Sequence, residues 1–312
     1  MDTHKIAFIV PTMDRENDLC RMLKSLEKQT RLPEQIIIVD GSYNKVQHII
    51  KEYDSLKIDY VRVFPPSLAK QKNAGVKKVD RDITLVGYLD DDLEFYSDSV
   101  ENMLSFWEDA SAEYGGAAFA VTNIDREVGT LRKFLRIDSD KPGQVFSNGF
   151  VSMLDNPMIT TDVEWLYGGA TVWRKSVINN YKYDEWFKGS GFMEDIDFSY
   201  NISEKYSLIV LAEARVQHHT HSIRGDRYYL LGKWQIINRL YFVRKYTYRG
   251  LSIIDAWVAS FSVTFVNLVA SMVRLDLNRL RMSAGNITGI FIAIMRKDTQ
   301  ISGHLKRKNI RK

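Results

Sequence analysis

The chain has 312 residues, of which 45% are hydrophobic and 12% aromatic, and this composition supports a large core and excludes a mainly disordered protein. The single cysteine, Cys20, excludes an intramolecular disulfide and favours a reducing compartment. The net charge of +4 is unevenly distributed, since residues 1–222 carry 26 Lys and Arg against 35 Asp and Glu, whereas residues 223–312 carry 17 against 4. Without any nucleic-acid-binding signature, the basic tail favours an anionic membrane surface over nucleic acid as its partner.

Short apolar runs alternate with amphipathic stretches through the first 110 residues. The first run ends at Pro11 after too few residues for a signal peptide, so we expect the N-terminal part of the chain to stay in the cytoplasm. The alternation favours an α/β fold, with a mostly parallel sheet covered by helices on both faces. The predicted strands cover residues 6–10, 35–39, 58–63 and 83–89, and the predicted helices cover residues 16–29, 45–53, 68–78 and 97–110.

The pattern changes twice beyond this region. From residue 116 to residue 222 it is irregular and rich in glycine turns, which we interpret as the second half of a domain formed by residues 1–222. Residues 223–312 form a basic, apolar region predicted to be helical. Within it, the 18 residues 256–273 carry no charge, which is marginal for a helix that spans a membrane. The alternative is an ordinary helical subdomain that packs its apolar faces on the rest of the chain.

Three consecutive carboxylates, Asp90, Asp91 and Asp92, follow the fourth predicted strand. Because alternate residues of extended backbone point the same way, Asp90 and Asp92 can face one ligand while Asp91 faces elsewhere. Two carboxylates held so close repel each other unless one is protonated or a cation lies between them. Mg²⁺ or Mn²⁺ prefers oxygen ligands and also binds phosphate oxygens, so the spacing predicts a metal site. The alternative is an exposed acidic turn.

Two further groups of residues could complete such a site. Glu194 and Asp195 follow a glycine-containing loop and begin a predicted helix, where an acid either caps the helix or takes a proton from a substrate hydroxyl. Three histidines occur at positions 218, 219 and 221. We predict His219 and His221 as metal ligands, although the spacing does not decide between them and a polar strand end is the alternative.

Two motifs nearer the N-terminus allow both a structural and a ligand-binding interpretation. The basic residues of segment 68–75 could face a diphosphate or form the solvated side of a helix. Asp40 in Asp40-Gly41-Ser42 could bind a ligand or simply form a turn.

In their order along the chain, these motifs resemble those of family-2 glycosyltransferases with the GT-A fold, especially the rhamnosyltransferase-like enzymes that build bacterial surface polysaccharides. The resemblance covers about residues 5–222 and extends loosely into 228–246. Met13-Asp14, the single acid Asp40 and Lys72 depart from the usual pattern, which leaves the nucleotide open. The matching segments are Ile9-Val10-Pro11-Thr12 with Arg15, Val39-Asp40-Gly41-Ser42, Gln71-Lys72-Asn73-Ala74-Gly75, Asp90-Asp91-Asp92, Gly168-Gly169-Ala170 and Glu194-Asp195.

The resemblance implies a role for individual residues. Asp90 and Asp92 would bind the metal, and Asp195 would be the general base. Donor contacts are predicted for Pro11, Thr12, Arg15, Asp40, Lys72, Asn73 and Asp91. Acceptor contacts are predicted for Gly168, Gly169, Trp173 and Glu194.

The expected activity is inverting transfer of a sugar from a nucleotide-diphosphate sugar to a hydroxyl of a cell-surface polysaccharide precursor. The expected acceptor is a glycan or a polyprenyl-diphosphate-linked oligosaccharide, and the enzyme is expected at the inner face of the plasma membrane. A sugar nucleotidyltransferase is less favoured, because its glycine-rich loop with Arg and Lys is missing from the N-terminus. A glycosidase and a non-catalytic glycan- or nucleotide-binding scaffold are the remaining alternatives. The sugar, the nucleotide and the oligomeric state stay open.

Overall fold

The computed structural model describes residues 4–124, 128–154, 156–188, 191–221 and 225–295. The chain forms two compact units. The first comprises residues 1–127 and 153–220, and the second comprises residues 128–152 and 221–312. The first unit is the expected α/β domain, and the second is helical as the sequence predicts.

The four strands predicted in the first half of the chain are present and lie side by side in parallel. They are β1 (Ile6–Thr12), β2 (Gln35–Asp40), β3 (Ile58–Arg62) and β4 (Leu85–Leu89), and their order in the sheet is β3-β2-β1-β4. Every residue of β1, β2 and β4 is buried, which explains why these strands are continuous Ile-, Val- and Leu-rich runs rather than alternating ones.

Three of the four predicted helices are also present, as α1 (Glu16–Glu27), α2 (Leu68–Val76) and α3 (Ser99–Asp109). The helix predicted at 45–53 is wrong, because only a short 3₁₀ turn forms at Ile49–Glu52. The physical reason is the Asp40 carboxylate, which accepts hydrogen bonds from Ser42 N (2.7 Å) and Val46 N (3.2 Å) and so binds this segment as a turn.

The second half of the domain continues the same sheet with strands of both directions. Among the described residues the sheet has nine strands in the order β3-β2-β1-β4-β8-β6-β9-β5, with β7 paired to β9. The β4–β8, β6–β8 and β5–β9 pairs are antiparallel, and β6–β9 is parallel. The added strands are β5 (Leu93–Phe95), β6 (Tyr114–Val121), β7 (Thr161–Val163), β8 (Ala170–Arg174) and β9 (Ser207–His218).

Within its described residues, the second unit contains three long helices and a segment from the middle of the chain. The helices are α7 (Gly225–Lys245), α8 (Ile253–Arg274) and α9 (Leu277–Ile294), numbered after the short helices α4 (Thr130–Phe134) and α5 (Lys175–Ile178) and after α6 (Glu194–Ile202).

The domain boundary differs from the one drawn on the sequence, because residues 128–152 belong to the second unit. The Arg239 guanidinium of α7 lies 3.3 Å from the centre of the Phe150 ring, and Ser147 O accepts a hydrogen bond of 2.7 Å from Ser252 N. These contacts attach the segment to the C-terminal helices. A pattern of glycine turns along the sequence does not reveal them.

An aromatic cluster of Phe8, Phe95 and Phe119 fills the centre of the sheet core. The Phe95 and Phe119 rings meet edge to face with centroids 5.2 Å apart, and Phe8 lies 6.2 Å from Phe95. Phe119 is 1% exposed, so truncating it leaves a cavity that its close-packed neighbours fill only partly.

We therefore expect Phe119→Ala to lower the free energy of unfolding by about 3–5 kcal/mol. The same change at Phe134, which is 82% exposed, should leave stability within about 0.5 kcal/mol of the native value. Urea denaturation followed by tryptophan fluorescence measures both. Equal effects of the two substitutions would contradict this description of the core.

Candidate active site

The acidic triplet lies where β4 ends and antiparallel β8 begins. The register of the two strands pairs Leu89 with Ala170. Asp90 N donates a hydrogen bond of 2.7 Å to Gly169 O. This bond holds the triplet against the Gly168-Gly169 turn, which precedes β8. The carboxyl ends of β1 and β2 lie at the same edge of the sheet because these strands run parallel to β4.

One histidine joins the triplet through the pairing of β5 with β9. This antiparallel register sets Leu93 opposite His218, which brings His218 next to Asp92. His218 Nε2 lies 2.9 Å from Asp92 Oδ1. Ligand atoms of Asp90, Asp92 and His218 all lie within 4.8 Å of one another, close enough to share one ion. We name these three residues the Asp90–Asp92–His218 cluster.

Neither of the two histidines predicted as ligands belongs to this cluster. His219 Nε2 lies 2.7 Å from Glu94 Oε2, and the backbone N–H of His219 donates to Asp92 O (2.9 Å). His221 is exposed and belongs to the second unit. The histidine that lies in the cluster is therefore His218 rather than His219 or His221, because the β5–β9 register places His218 beside Asp92.

The pKa values of His218 and Asp92 shift in opposite directions. Burial alone would lower the pKa of His218, but the nearby Asp92 carboxylate outweighs it and raises that pKa. Burial alone would raise the pKa of Asp92, but His218 and Arg15 outweigh it and lower that pKa. Arg15 Nη1 lies 2.7 Å from Asp92 Oδ2. Arg15, and His218 when it is protonated, thus place positive charge beside Asp92.

The cluster fits a divalent cation. Asp92 Oδ1 is buried and, within the described part of the chain, accepts no hydrogen bond of good geometry despite the nearby His218. Two carboxylates and an imidazole are ligands that Mn²⁺ accepts, and the carboxylates also suit Mg²⁺. A metal ligand must be neutral imidazole, so binding there would release the His218 proton.

Asp91 has a different role from its neighbours. Its Oδ2 accepts a hydrogen bond from Thr12 Oγ1 (2.7 Å) and its Oδ1 lies 3.2 Å from Arg15 Nη1, so it connects the triplet to β1 and to the residue before α1. Asp91 is 4% exposed, and burial raises its pKa to about 7. The expectation that Asp91 faces away from Asp90 and Asp92 agrees with these contacts.

Asp40 is fully buried, and its oxygens are occupied by the protein. Besides Ser42 N and Val46 N, it accepts hydrogen bonds from Tyr60 Oη (2.5 Å) and Arg62 Nη1 (3.1 Å). Burial alone would raise its pKa, but the bonds from Tyr60 and Ser42 outweigh it and lower that pKa. In this structure Asp40 orders the loop after β2.

A second group of charges surrounds Lys72, which is 1% exposed. Lys72 Nζ lies 3.1 Å from Glu194 Oε1 and 4.6 Å from the centre of the Tyr183 ring. Burial would lower the Lys72 pKa, but the charges of Glu194, Asp90 and Asp195 outweigh it and raise that pKa. A single ammonium group thus faces three carboxylates.

The Gly168-Gly169 turn lies between the Asp90–Asp92–His218 cluster and the charged residues around Lys72, and it allows them to approach each other. A Cβ on Gly168 would lie 2.6 Å from Lys72 Nζ and 2.8 Å from Asp195 Cβ, and a Cβ on Gly169 would collide with the Asp90 carboxylate. Gly168 N also donates to Asp195 Oδ2 (3.3 Å). Asp90 and Asp195 therefore lie against consecutive residues of one turn, although 104 positions separate them in the sequence.

Asp195 and Glu194 occupy the first turn of α6. Burial raises the pKa of Glu194 to about 8 against the opposing charge of Lys72. Burial also raises the pKa of Asp195, again against Lys72 and against the hydrogen bonds from Ile196 N and Gly168 N. A carboxylate with a raised pKa is a stronger base, which suits a residue that must accept a proton from a substrate.

Three other predicted site residues have structural contacts. Trp173 is 1% exposed and packs on Phe198 with centroids 5.2 Å apart, so the structure corrects its predicted acceptor contact to a place in the core. Asn73 Nδ2 donates to Tyr183 O (3.0 Å) and Asn73 Oδ1 accepts from Tyr183 N (3.0 Å), which anchors the loop before α6. Pro11 is buried within β1, paired with Val39.

Gln71 was not predicted as part of the site. Its Nε2 donates to Thr12 O (3.1 Å) and to Val39 O (2.8 Å), and it thereby joins α2 to the ends of β1 and β2. Its position directly before Lys72 was the available signal, but only the fold shows that it faces two strand ends.

The sheet and the residues gathered at its edge define a glycosyltransferase of the GT-A fold. A family model described as glycosyl transferase family 2 matches residues 7–178, more than half of the chain, and the chain therefore belongs to that family. This confirms the resemblance to family-2 glycosyltransferases noted from the motifs.

Individual relatives are more distant. The uncharacterized glycosyltransferase YwdF of Bacillus subtilis is 29% identical over 127 residues, which are 40% of this chain and 46% of YwdF. The chain thus spans about half the length of this curated relative.

Solved structures show the same fold at low identity. The mannosyltransferase PcManGT from Pyrobaculum calidifontis, in complex with GDP-Man and Mn²⁺, is 13% identical with a TM-score of 0.57, over 94% of this chain and 88% of that one. GalNAc-T7 with UDP, GalNAc and Mn²⁺ is 16% identical with a TM-score of 0.56, over 79% and 51%. S. aureus TarS 1-349 in complex with UDP-GlcNAc is 13% identical with a TM-score of 0.50, over 90% of both chains.

The raised pKa of Glu194 predicts how stability depends on pH. Because the folded-state pKa of about 8 exceeds the ordinary value of 4.5, the folded chain binds this proton more tightly than the unfolded chain does. The contribution is complete below pH 4.5 and is lost as the pH rises towards 8. We expect Glu194→Gln to flatten the fall in unfolding free energy across this window, as measured by urea denaturation at a series of pH values. The control Glu213→Gln, at an exposed position, should keep the native slope.

Proposed function

We propose that the protein transfers a sugar from a nucleotide-diphosphate sugar to an acceptor hydroxyl, with inversion at the anomeric carbon. The observation that carries the proposal is the meeting of the Asp90–Asp92–His218 cluster with Asp195 at the Gly168-Gly169 turn. The structures of PcManGT and GalNAc-T7 contain a nucleotide or nucleotide sugar together with Mn²⁺, which supports a donor and a cation of the same kinds here.

The Asp90–Asp92–His218 cluster and Lys72 would stabilise the diphosphate of the nucleotide-sugar donor. Asp90, Asp92 and His218 would hold Mn²⁺ or Mg²⁺, and such a cation neutralises charge on a nucleoside diphosphate as it departs. Lys72 of α2 adds a buried positive charge against the Gly168-Gly169 turn, and Arg15 adds a half-buried one beside Asp91 and Asp92. Low exposure makes each charge act more strongly than it would in water.

The acceptor end falls to Asp195. Its carboxylate takes the proton from the acceptor hydroxyl while the oxygen of that hydroxyl forms a bond to the anomeric carbon and the bond to the diphosphate breaks. Attack from the side opposite the leaving group inverts the configuration. Gly168 N holds the Asp195 carboxylate, and Glu194 holds Lys72, so that each charged group keeps its place.

For the acceptor, we propose a lipid-linked glycan of surface-polysaccharide synthesis, such as a polyprenyl-diphosphate-linked oligosaccharide. The support is the second unit, which is basic and contains in α8 a helix that is long and apolar enough to cross a membrane. We also propose peripheral attachment at the inner face of the plasma membrane, which the excess of Lys and Arg in residues 223–312 supports.

The first experiment identifies the donor and tests the cluster. Thermal-shift measurements with UDP, GDP, dTDP and CDP in Mn²⁺ should show a rise in melting temperature for one nucleotide, because a ligand of the native state stabilises it. His218→Ala should weaken the Mn²⁺-dependent binding of this nucleotide at least tenfold. Removing a residue that only hydrogen-bonds to a metal ligand already lowers metal affinity by about tenfold or more, and loss of a ligand should cost at least as much.

His219→Ala is the matched control, since the His219 side chain contacts Glu94 and only its backbone N–H, which alanine keeps, contacts Asp92. It should keep the Mn²⁺-dependent shift. Equal stabilisation with and without a chelator in the native protein would rule out the cation.

The second experiment tests the base. Asp195→Asn should reduce kcat by about 10²–10⁴-fold, the range typical of general-base catalysis, and should leave nucleotide binding unchanged. Turnover is measured as release of the nucleoside diphosphate, with Asp162→Asn as an exposed control on the same unit. Near-native turnover of Asp195→Asn would remove Asp195 from the mechanism.

A further inference from the structure

The exposed positions of helix α8 hold apolar side chains over most of its length. Between residues 253 and 273, every exposed residue is apolar, and only 22% of the most apolar 18-residue stretch of the helix is buried. A core helix of a soluble protein would show the opposite pattern. The exposed residues are Ile253, Ile254, Val258, Phe261, Phe265, Val269, Met272 and Val273.

The buried side of α8 is small and rich in hydroxyl groups. Ser260, Thr264 and Ser271 are all buried, and each donates a hydrogen bond of 2.7 Å to a carbonyl of its own helix. These hydroxyls are therefore satisfied without water. The helix is inverted relative to a helix on a water-soluble surface, because these hydroxyl groups face inward and its large apolar groups face outward, while Asp255, Ser262 and Asn267 are half-buried.

Helix α9 repeats this arrangement and packs closely on α7. Its Gly285 and Gly289 lie four residues apart and face α7 directly, so that a Cβ on Gly289 would lie 2.7 Å from Lys233 O. Asn286 Oδ1 accepts a buried hydrogen bond of 2.5 Å from Gln235 Nε2. Small residues and interhelical amide bonds of this kind are typical of helices packed in lipid. The outward side of α9 exposes Leu280, Ile287, Phe291 and Ile294.

Basic residues lie at the turn between the two helices. Arg274, Arg279 and Arg281 are grouped there, and the nearby Asp276 pairs with Arg279 at 3.3 Å.

The length of α8 also matches a bilayer. At about 1.5 Å per residue, its 22 residues extend about 33 Å, and the hydrocarbon layer of a bilayer is about 30 Å thick.

We infer that α8 and α9 insert their exposed apolar faces into the hydrocarbon layer of an anionic bilayer. The inference rests on the proposed membrane attachment and deepens it, since the contact is hydrocarbon burial rather than charge alone. Lipid fits better than a second copy of the chain, because residues 223–312 carry 17 Lys and Arg against 4 Asp and Glu. Two such units repel each other, whereas anionic head groups attract them.

The test compares two double substitutions in the full-length protein. Phe265→Asp/Phe291→Asp changes the proposed lipid face, whose two rings are 68% and 61% exposed. Met158→Asp/Ile159→Asp makes the same change of charge in the first unit, at positions 84% and 74% exposed. Binding is measured by flotation with phosphatidylcholine vesicles that contain phosphatidylglycerol, at low and at high salt.

The native protein should stay on the vesicles at high salt, because salt screens charges but not apolar contacts. The helix variant should lose more than about a hundredfold in vesicle partitioning, the order expected for two carboxylates in hydrocarbon, while the control variant keeps native binding. Release of the native protein by salt, or equal binding of both variants, would overturn the inference.

A second measurement does not depend on the substitutions to aspartate. In a Cys20→Ser background, a fluorophore on Phe265→Cys should be quenched by lipids with an acyl-chain quencher more than by lipids with a head-group quencher. The same label on Met158→Cys should show no acyl-chain quenching. Protection of the Phe265→Cys label in a lipid-free dimer, without acyl-chain quenching, would instead identify a second copy as the partner. Thermal shift with the nucleotide separates the proposals, because failed insertion with intact nucleotide binding leaves sugar transfer standing.

Discussion

A buried ammonium group facing three carboxylates is the interaction on which the proposed site depends. Lys72 is 1% exposed, is paired with Glu194 and lies within the field of Asp90 and Asp195. One positive charge cannot balance three negative ones in a medium of low polarity, so at least one further proton or cation must be present. The raised pKa of Glu194 and the fit of the Asp90–Asp92–His218 cluster to a divalent ion are two responses to this same excess of negative charge.

The turn between the two groups makes this crowding possible. Only residues without a side chain can stand at positions 168 and 169, because a Cβ there would contact Lys72 and Asp195 on one side and Asp90 on the other. Replacing either glycine would force the charges apart. The glycines, which the sequence suggested as acceptor contacts, therefore also set the distance between the metal ligands and the base.

The sequence predicted the parallel strands and the residues at their ends, because both depend on local patterns of apolar residues. It failed where the outcome depends on contacts between distant segments. Residues 45–53 lack a helix because the Asp40 carboxylate holds their beginning as a turn. His218 rather than His219 meets Asp92 because of the β5–β9 register, which is a property of the folded sheet. Trp173 looked available to a substrate, yet strand β8 directs it into the core.

The two units follow opposite rules of polarity, and composition alone anticipates this only in part. In the first unit, charged residues such as Lys72 and Glu194 are buried at the site, where low exposure to water strengthens their electrostatic interactions. In the second unit the inward positions of α8 hold small and hydroxyl residues, and the outward positions hold Phe, Ile and Val. The charge-free run 256–273 is compatible with a soluble helix or a membrane helix, since both are apolar. The side of the helix that is exposed distinguishes the two, because turning large apolar side chains outward costs free energy in water but not in lipid.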